Sequence, residues 1–252
     1  MSTTVAIAGG STGLGRAIVE ALKKDGRLTS IKENPTLSAE LGVRILAADY
    51  TSVPSLTTLL DSNKVEVLIS TANSLSDPTP EFNMIAAADA SPPTKRFIPN
   101  AWSAIEFKDE PRFQSFPLAA SRLEALAKLR ESGLEWTAIT PGLFMENVVS
   151  NLPSHVTVLP LMLDIAHNTA ALPGDGTSKI TLTYTHNIAA FIPPLLSLPT
   201  WEQHYLIQGD VRSWNEILAA AEKGKGVKFQ VAYDSVEKMK GGRVTELPGH
   251  ER

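Results

Sequence analysis

The part of the sequence with the clearest chemical meaning is a glycine-rich stretch near the N-terminus. Three glycines follow a short apolar run in a G-x-x-x-G-x-G spacing. Such glycines let a phosphate group approach the backbone, and the following helix presents unpaired N–H groups and its positive dipole end. The spacing predicts a site for the pyrophosphate of a dinucleotide; the alternative is a tight turn that only lets strand and helix pack closely. The predicted loop comprises Gly9, Ser11, Thr12, Gly13, Leu14 and Gly15.

The form of the dinucleotide depends on the end of the second strand. An acidic residue there would bind the ribose 2'-hydroxyl, and a basic one would bind a 2'-phosphate. Lys32 holds this position and Arg16 could add positive charge nearby, so NADP(H) is favoured over NAD(H), although Lys32 could also be a solvated loop lysine beside Glu33. A polar stretch after a later strand would lie beside the adenosine half, or be a simple turn: Ser70, Thr71, Ala72 and Asn73.

The elements that must position these residues alternate between strands and helices. Short apolar runs rich in β-branched residues predict buried strands, and apolar residues at i, i+3 and i+4 predict helices. This alternation predicts an α/β fold with a doubly wound, mostly parallel Rossmann-type sheet. Strands are predicted at residues 5–8, 27–31, 43–48, 65–70, 96–99 and 136–140, and helices at 14–25, 55–60, 81–90 and 118–132.

The rest of the chain is less regular and rich in proline. Helices are predicted at residues 187–196 and 214–221, and strands at 180–184, 204–208 and 228–232. We predict a dinucleotide-binding core of residues 1–150 and a smaller, irregular substrate-side region of residues 151–252 packed on it. An apolar pocket could be formed by residues that would otherwise belong to the core: Phe144, Met145, Leu161, Met162 and Trp201.

Composition excludes several classes of protein. The chain has 252 residues, a formal net charge of -4 and no long basic run, so nucleic acid is not an expected partner. Without cysteine there is no disulfide or thiolate nucleophile, and the five histidines lack metal-ligand spacing, so we expect no metal. The apolar run at the N-terminus is too short for a signal peptide or membrane span, so a cytoplasmic location is expected.

Several stretches together resemble the NmrA-like and isoflavone-reductase-like families of atypical short-chain dehydrogenases/reductases, particularly their fungal members. They are AIAGGSTGLGRAIVEAL at the start, KRFIP at 95–99 and SGLEWTAITPGLFMENV at 132–148. The resemblance implies a Rossmann-type fold that binds NADP(H), with a substrate cleft between the sheet and the C-terminal region. Beside the cofactor it further places Pro99, Asn100, Pro141, Gly142 and Leu143.

The catalytic half departs from the pattern of these relatives. No tyrosine of the chain has a lysine four residues later, so the usual tyrosine proton donor is missing. The helix lysine of the reductases would fall near Ser121–Arg122, where this chain has none. Asn100, Ser103 or Arg122 could instead hold an alkoxide while a nicotinamide supplies hydride. The alternative for Arg122 is a surface arginine paired with Glu124 or Glu131.

Three functional hypotheses follow. The leading one is an NADP(H)-dependent reductase of a small aromatic, polyketide-like or alkaloid-like molecule placed over the nicotinamide near Asn100 and Leu143. The missing tyrosine–lysine pair favours a second, a non-catalytic NADP(H)-binding regulator of a protein partner. The third is a redox-neutral isomerase or cyclase on the same fold. The sequence leaves the oligomeric state open.

Overall fold

The chain forms two compact units in the computed structural model, which describes residues 3–25, 38–40, 42–72, 77–103, 119–149, 151–158 and 161–250. The first unit comprises Met1–Thr140 and His186–Leu206, and the second comprises Pro141–Thr185 and Ile207–Arg252. The chain thus leaves the first unit, returns to it once and leaves it again. Among the described residues, no helix has the length and apolar character needed to cross a bilayer.

The first unit is built on a parallel sheet. Its strands are β1 (Val5–Ala8), β2 (Val67–Ser70), β3 (Arg96–Ile98) and β4 (Glu135–Trp136). They lie in the order β1-β2-β3-β4, and every neighbouring pair is parallel. All residues of β2 are buried, as expected for a parallel sheet covered on both faces. The predicted α/β class with a Rossmann-type sheet is therefore confirmed. In chain order the elements to residue 140 are β1 (Val5–Ala8), α1 (Gly13–Lys24), α2 (Val53–Ser62), β2 (Val67–Ser70), α3 (Thr79–Ala90), β3 (Arg96–Ile98), α4 (Ala119–Glu131), β4 (Glu135–Trp136) and β5 (Ala138–Thr140).

The helices begin and pack for identifiable reasons. Ser52 caps α2 by accepting a hydrogen bond from the Ser55 N–H at 3.3 Å, and Pro54 lies in the first turn, where its missing N–H costs nothing. The main core of this unit lies between the sheet and helices α2, α3 and α4, and includes Leu56, Leu60, Met84, Phe97 and Leu129. This core fixes the ends of β1, β2 and β3 relative to one another.

One predicted strand is wrong. Residues 43–48 are irregular, because among the described residues β1 pairs with β2 alone and offers no ladder to this segment. Val43 instead packs against Val19 of α1, and residues of the segment and of β1 line a cavity of about 560 Å³. The predicted strand at 27–31 lies outside the described residues.

The predicted strand at 136–140 is present but divided at Thr137. Its first part, β4, pairs with β3, whereas β5 pairs in parallel with a strand that comes much later in the chain, β10 (His204–Leu206). The division occurs because consecutive residues form hydrogen bonds to different segments of the chain. The Thr137 N–H donates to Phe97 O at 3.2 Å, and the Ala138 N–H donates to Gln203 O at 3.0 Å.

The remaining chain supplies the second unit and the last elements of the first. The elements are β6 (Leu143–Phe144), β7 (Leu163–Asp164), β8 (Thr169–Pro173), β9 (Lys179–Thr183), α5 (Thr185–Leu196), β10 (His204–Leu206), β11 (Asp210–Ser213), α6 (Trp214–Lys225), β12 (Gln230–Asp234) and α7 (Val236–Lys240). Two three-stranded sheets, β11-β9-β6 and β12-β8-β7, form the second unit, and each contains an antiparallel pair. All five elements predicted in this region are present.

A buried aspartate fastens the C-terminal residues of the second unit to β12. Asp234 accepts hydrogen bonds from Lys238 Nζ at 2.6 Å and from the N–H and Oγ1 of Thr245, both at 2.7 Å. These donors, the Lys238 side chain first, lower the pKa of Asp234 to about 2.

We expect D234N to lower the free energy of unfolding by roughly 2 kcal/mol at pH 7, because a neutral amide forms no ion pair with the Lys238 ammonium. A carboxyl whose folded pKa is depressed contributes stability above its unfolded pKa of 3.8 and loses it as the pH falls towards about 2. The difference between the two proteins should therefore shrink over that window. Urea unfolding at pH 7 and pH 3 measures this difference, and E237Q, at an exposed carboxylate of the same unit, is the control. Equal stability at pH 7 would contradict the assignment.

Candidate functional site

The glycine turn between β1 and α1 has the backbone geometry that the sequence predicts. Gly9 and Gly13 have φ angles of +80° and +54°, a region that residues with a side chain rarely adopt. Ser11 and Thr12 are exposed, and the Thr12 side chain forms no capping hydrogen bond to α1. The N-terminus of this helix therefore keeps its capacity to bind an anion. The Leu14 side chain is buried, so this residue could contact a ligand only through its backbone.

The three glycines differ in what surrounds them. A Cβ atom on Gly15 would collide with Thr71 Oγ1 and the carbonyl oxygen of Gly9, and one on Gly9 would lie 2.8 Å from the Thr71 carbonyl oxygen. Nothing lies within 4 Å of a Cβ built on Gly13. Gly9 and Gly15 thus permit close packing within the protein, whereas Gly13 borders open space that a ligand can enter.

The turn after β2 is bonded directly to this loop. The backbone N–H and the Oγ1 of Thr71 both donate to the carbonyl oxygen of Ala8, at 2.9 and 2.7 Å. The Asn100 side chain, which follows β3, donates to the carbonyl oxygen of Ala72. The structure therefore brings the glycine loop, Thr71, Ala72 and Asn100 together at the carboxyl ends of three neighbouring strands, where ligands bind in open α/β sheets.

A buried carboxylate lies beneath these turns. Glu81, in the first turn of α3, is 2% exposed and accepts hydrogen bonds from Ser70 Oγ at 2.5 Å and from the Asn100 N–H at 2.9 Å. Burial raises the pKa of Glu81, and the hydrogen bonds and the positive charge of Arg122 oppose this shift. Burial lowers the pKa of Arg122, and the Glu81 charge opposes it. Arg122 of α4 therefore lies near a buried carboxylate of another helix. The alternative interpretation was a surface arginine that pairs only with residues of its own helix.

Sequence reasoning missed Glu81 and Tyr50. A glutamate three residues into a helix is ordinarily a capping residue, so its type and position gave no functional signal. Tyr50 follows the irregular segment, and its hydroxyl reaches the glycine loop: burial raises the pKa of Tyr50, and a hydrogen bond from the Gly9 N–H opposes that rise. Tyr50 could have been found from its position: the Asp49–Tyr50 pair follows the predicted third strand, and residues that bind ligands often lie at the carboxyl ends of such strands.

The other predicted site residues lie in the segment after β3, in the second unit, or outside the residues that the structure describes. Lys32 and Asn73 fall outside the described residues. Pro99 is buried and Ser103 is partly buried in the first unit. Pro141, Gly142 and Leu143 belong to the second unit, where Gly142 (φ +78°) packs against Thr181 and Leu143 pairs with Leu182 of β9. Contact of these three residues with a cofactor stays a prediction.

The residues predicted to line an apolar pocket belong to different units of the chain. Trp201 is buried in the first unit, and the Arg96 guanidinium carbon lies 4.7 Å from the centre of its ring. Met145 and Met162 pack against the core of the second unit, and Leu161 is exposed. For Trp201, Met145 and Met162 the structure thus shows the core packing that was the alternative interpretation.

Arg16, which could favour a 2'-phosphate, is already paired. Its guanidinium contacts Glu20 at 3.2 Å and Glu40 at 2.5 Å, and the hydrogen bonds to Glu40 and then Glu20 raise the pKa of Arg16. Both carboxylates would compete with a phosphate for this cation.

We therefore expect E40Q to increase the affinity for NADPH about two- to fivefold, because it removes a carboxylate that competes for Arg16; the gain is small because an exposed ion pair contributes little. The affinity for NADH should stay unchanged, because only NADPH carries the 2'-phosphate. Parallel fluorescence titrations at low and high salt measure this effect, which salt should weaken. E237Q removes a charge in the second unit and serves as the control. An equal gain for both cofactors would show that Arg16 does not contact the 2'-phosphate.

Comparison with known proteins agrees with this architecture. The model of the NmrA-like family matches residues 1–241. The chain is 33% identical to "Oxidoreductase BOA1" of Botryotinia fuckeliana over 89% of this chain and 77% of that protein. It is 30% identical to "Oxidoreductase swnN" of Metarhizium robertsii over 98% of this chain and 80% of that protein.

Solved structures show the same fold at lower sequence identity. A leucoanthocyanidin reductase of Vitis vinifera, solved as a ternary complex, superposes with a TM-score of 0.77 at 16% identity, covering 98% of this chain and 82% of that one. An isoflavone reductase superposes with a TM-score of 0.71 at 22% identity, covering 99% and 85%.

Proposed function

We propose that this chain, which belongs to the NmrA-like family, is an NADP(H)-dependent reductase of a small aromatic or secondary-metabolite-like molecule. The observation that carries the proposal is the glycine turn, in which Gly13 borders open space at the N-terminus of α1 while Gly9 and Gly15 pack against Thr71. A pyrophosphate fits an N-terminus of this kind because backbone N–H groups and the helix dipole both favour negative charge.

Relatives support the redox part of the proposal. Both relatives described above are named oxidoreductases, and the leucoanthocyanidin reductase that shares the fold has also been solved as a binary complex with NADPH. Lys32 at the predicted end of the second strand supports the phosphorylated cofactor, since a basic residue there accommodates a 2'-phosphate.

The chemistry requires only a few groups from the protein. A bound NADPH would supply hydride to an electrophilic carbon of the substrate. Negative charge then develops on the substrate oxygen, and the guanidinium of Arg122, with the amide of Asn100 and the hydroxyl of Ser103, would stabilise it. Arg122 stays protonated at neutral pH, so it stabilises this oxygen as a fixed charge and hydrogen-bond donor while water delivers the proton.

A non-catalytic NADP(H)-binding regulator is the second candidate, favoured by the absence of a Tyr-x-x-x-Lys motif from the sequence. Two measurements separate the candidates. Titration with NADPH and NADH tests the cofactor site, and no binding of either would refute both functions. If NADPH binds, its consumption at 340 nm with a panel of aromatic carbonyl and enone compounds supports the reductase, whereas a protein that binds NADPH and reduces none of these compounds supports the regulator.

A further inference from the structure

Glu81 is a buried carboxyl group near the carboxyl ends of β2 and β3, and the proposed chemistry does not explain its burial. A buried carboxylate is destabilising unless hydrogen bonds and an opposite charge compensate for its lost hydration. Glu81 has both kinds of compensation: two hydrogen bonds and the nearby Arg122. Its partners should therefore indicate what the residue is for.

Capping of its own helix is excluded by the geometry. In a capping box the third helical residue returns its side chain to the N-cap N–H. The N-cap of α3 is Pro78, which has no such N–H, and the Glu81 oxygens bind Ser70 and Asn100 instead. The carboxylate therefore joins two other segments of the chain.

These segments are the turns that surround the glycine loop. Ser70 is the last residue of β2, and Asn100 lies two residues beyond the end of β3. Two further bonds span the same turns: Asn100 Nδ2 donates to Ala72 O, and Trp102 Nε1 donates to Ser70 O at 2.8 Å. Through Thr71, the next residue after Ser70, this assembly contacts Ala8 and the glycine loop.

We propose, on the basis of the proposed function, that Glu81 is a positioning residue of the cofactor site: its carboxylate holds the turn after β2 and the turn after β3 at a fixed separation around the glycine loop. The same carboxylate is a negative charge near Arg122, the cation assigned to the substrate oxygen. Glu81 itself need not touch either ligand.

Two substitutions of similar volume separate this role from simple packing. In E81Q, the amide oxygen can accept from the Asn100 N–H and the amide NH₂ can donate to Ser70 Oγ, so we expect the Kd for NADPH to stay within about threefold of wild type. In E81M both bonds made by the carboxylate are lost, and we expect the Kd to rise at least about tenfold in protein that is still folded. E124Q, an exposed carboxylate on α4, is the control and should bind as wild type does.

Fluorescence titration measures the Kd for NADPH of each variant, and thermal unfolding measures its stability. Together they distinguish a positioning role of Glu81 from a purely structural one. If E81M is less stable but binds NADPH with wild-type affinity when folded, Glu81 is only structural and the proposal is overturned; a tenfold loss in E81Q also overturns the hydrogen-bonding role. If E81M does not fold, S70A removes one of the two bonds and should weaken binding about fivefold, and unchanged binding there overturns the proposal. Absence of NADPH binding by the wild-type protein would instead refute the proposed function.

Discussion

Replacing Gly15 by alanine is expected to abolish NADPH binding and to lower the free energy of unfolding by about 3 kcal/mol. The added Cβ would overlap both Thr71 Oγ1 and the Gly9 carbonyl oxygen. One of these atoms belongs to the loop itself and the other to the turn bonded to Ala8, so relief requires α1 to move away from the sheet. Chemical denaturation measures the stability, and fluorescence titration of the folded fraction measures the binding.

Gly13→Ala is the matched substitution, with the opposite balance of effects. A Cβ at this position meets no protein atom, so the cost to stability is the left-handed backbone alone, about 1 kcal/mol. Binding should nevertheless be lost, because the methyl group would enter the space through which the pyrophosphate approaches the helix N-terminus. Retained affinity in this variant would show that the pyrophosphate does not lie there.

Replacing Arg122 by methionine is expected to lower kcat about 100- to 1000-fold, because a preorganised cation facing a developing oxyanion provides stabilisation of that order. NADPH affinity should stay within about threefold, since the phosphate loop is formed by other residues. The removed charge would also take a nearby cation away from the buried Glu81, so the pKa of Glu81 should rise further. Steady-state kinetics with a substrate identified at 340 nm, and NADPH titration of the same protein, provide the two measurements.

Arg130→Met is the control for this substitution, because Arg130 lies on the same helix but is exposed, with its guanidinium carbon 6.0 Å from the centre of the Trp136 ring. It should leave kcat unchanged. If R122M turns over as fast as wild type, Arg122 has no catalytic role. A loss of NADPH binding equal to the loss of turnover would place Arg122 in the cofactor site instead.

Local patterns in the sequence predicted most of the secondary structure. The run at 5–8, the glycines and the apolar periodicity of α1 each depend on neighbouring residues. The strand β1 has the predicted bounds, and α1 begins and ends one residue earlier than predicted. The error at 43–48 has a different origin. An apolar β-branched run indicates that a segment can form a strand. A strand also needs a neighbouring strand to pair with, and this pairing depends on residues far away in the chain. The division of 136–140 between β3 and β10 has the same cause.

The candidate site divides in the same way. The sequence by itself determined that a loop of glycines precedes a helix, and that the tyrosine–lysine pair is missing, because a positive φ angle and a fixed spacing are properties of consecutive residues. Only the tertiary structure decided that Gly15 packs against Thr71, that Gly13 borders open space, and that Glu81 joins two turns. Glu81 bonds to residues 11 and 19 positions away, and Thr71 to one 63 positions away. Contacts at such separations arise from the packing of whole elements against a shared core, which no local pattern records.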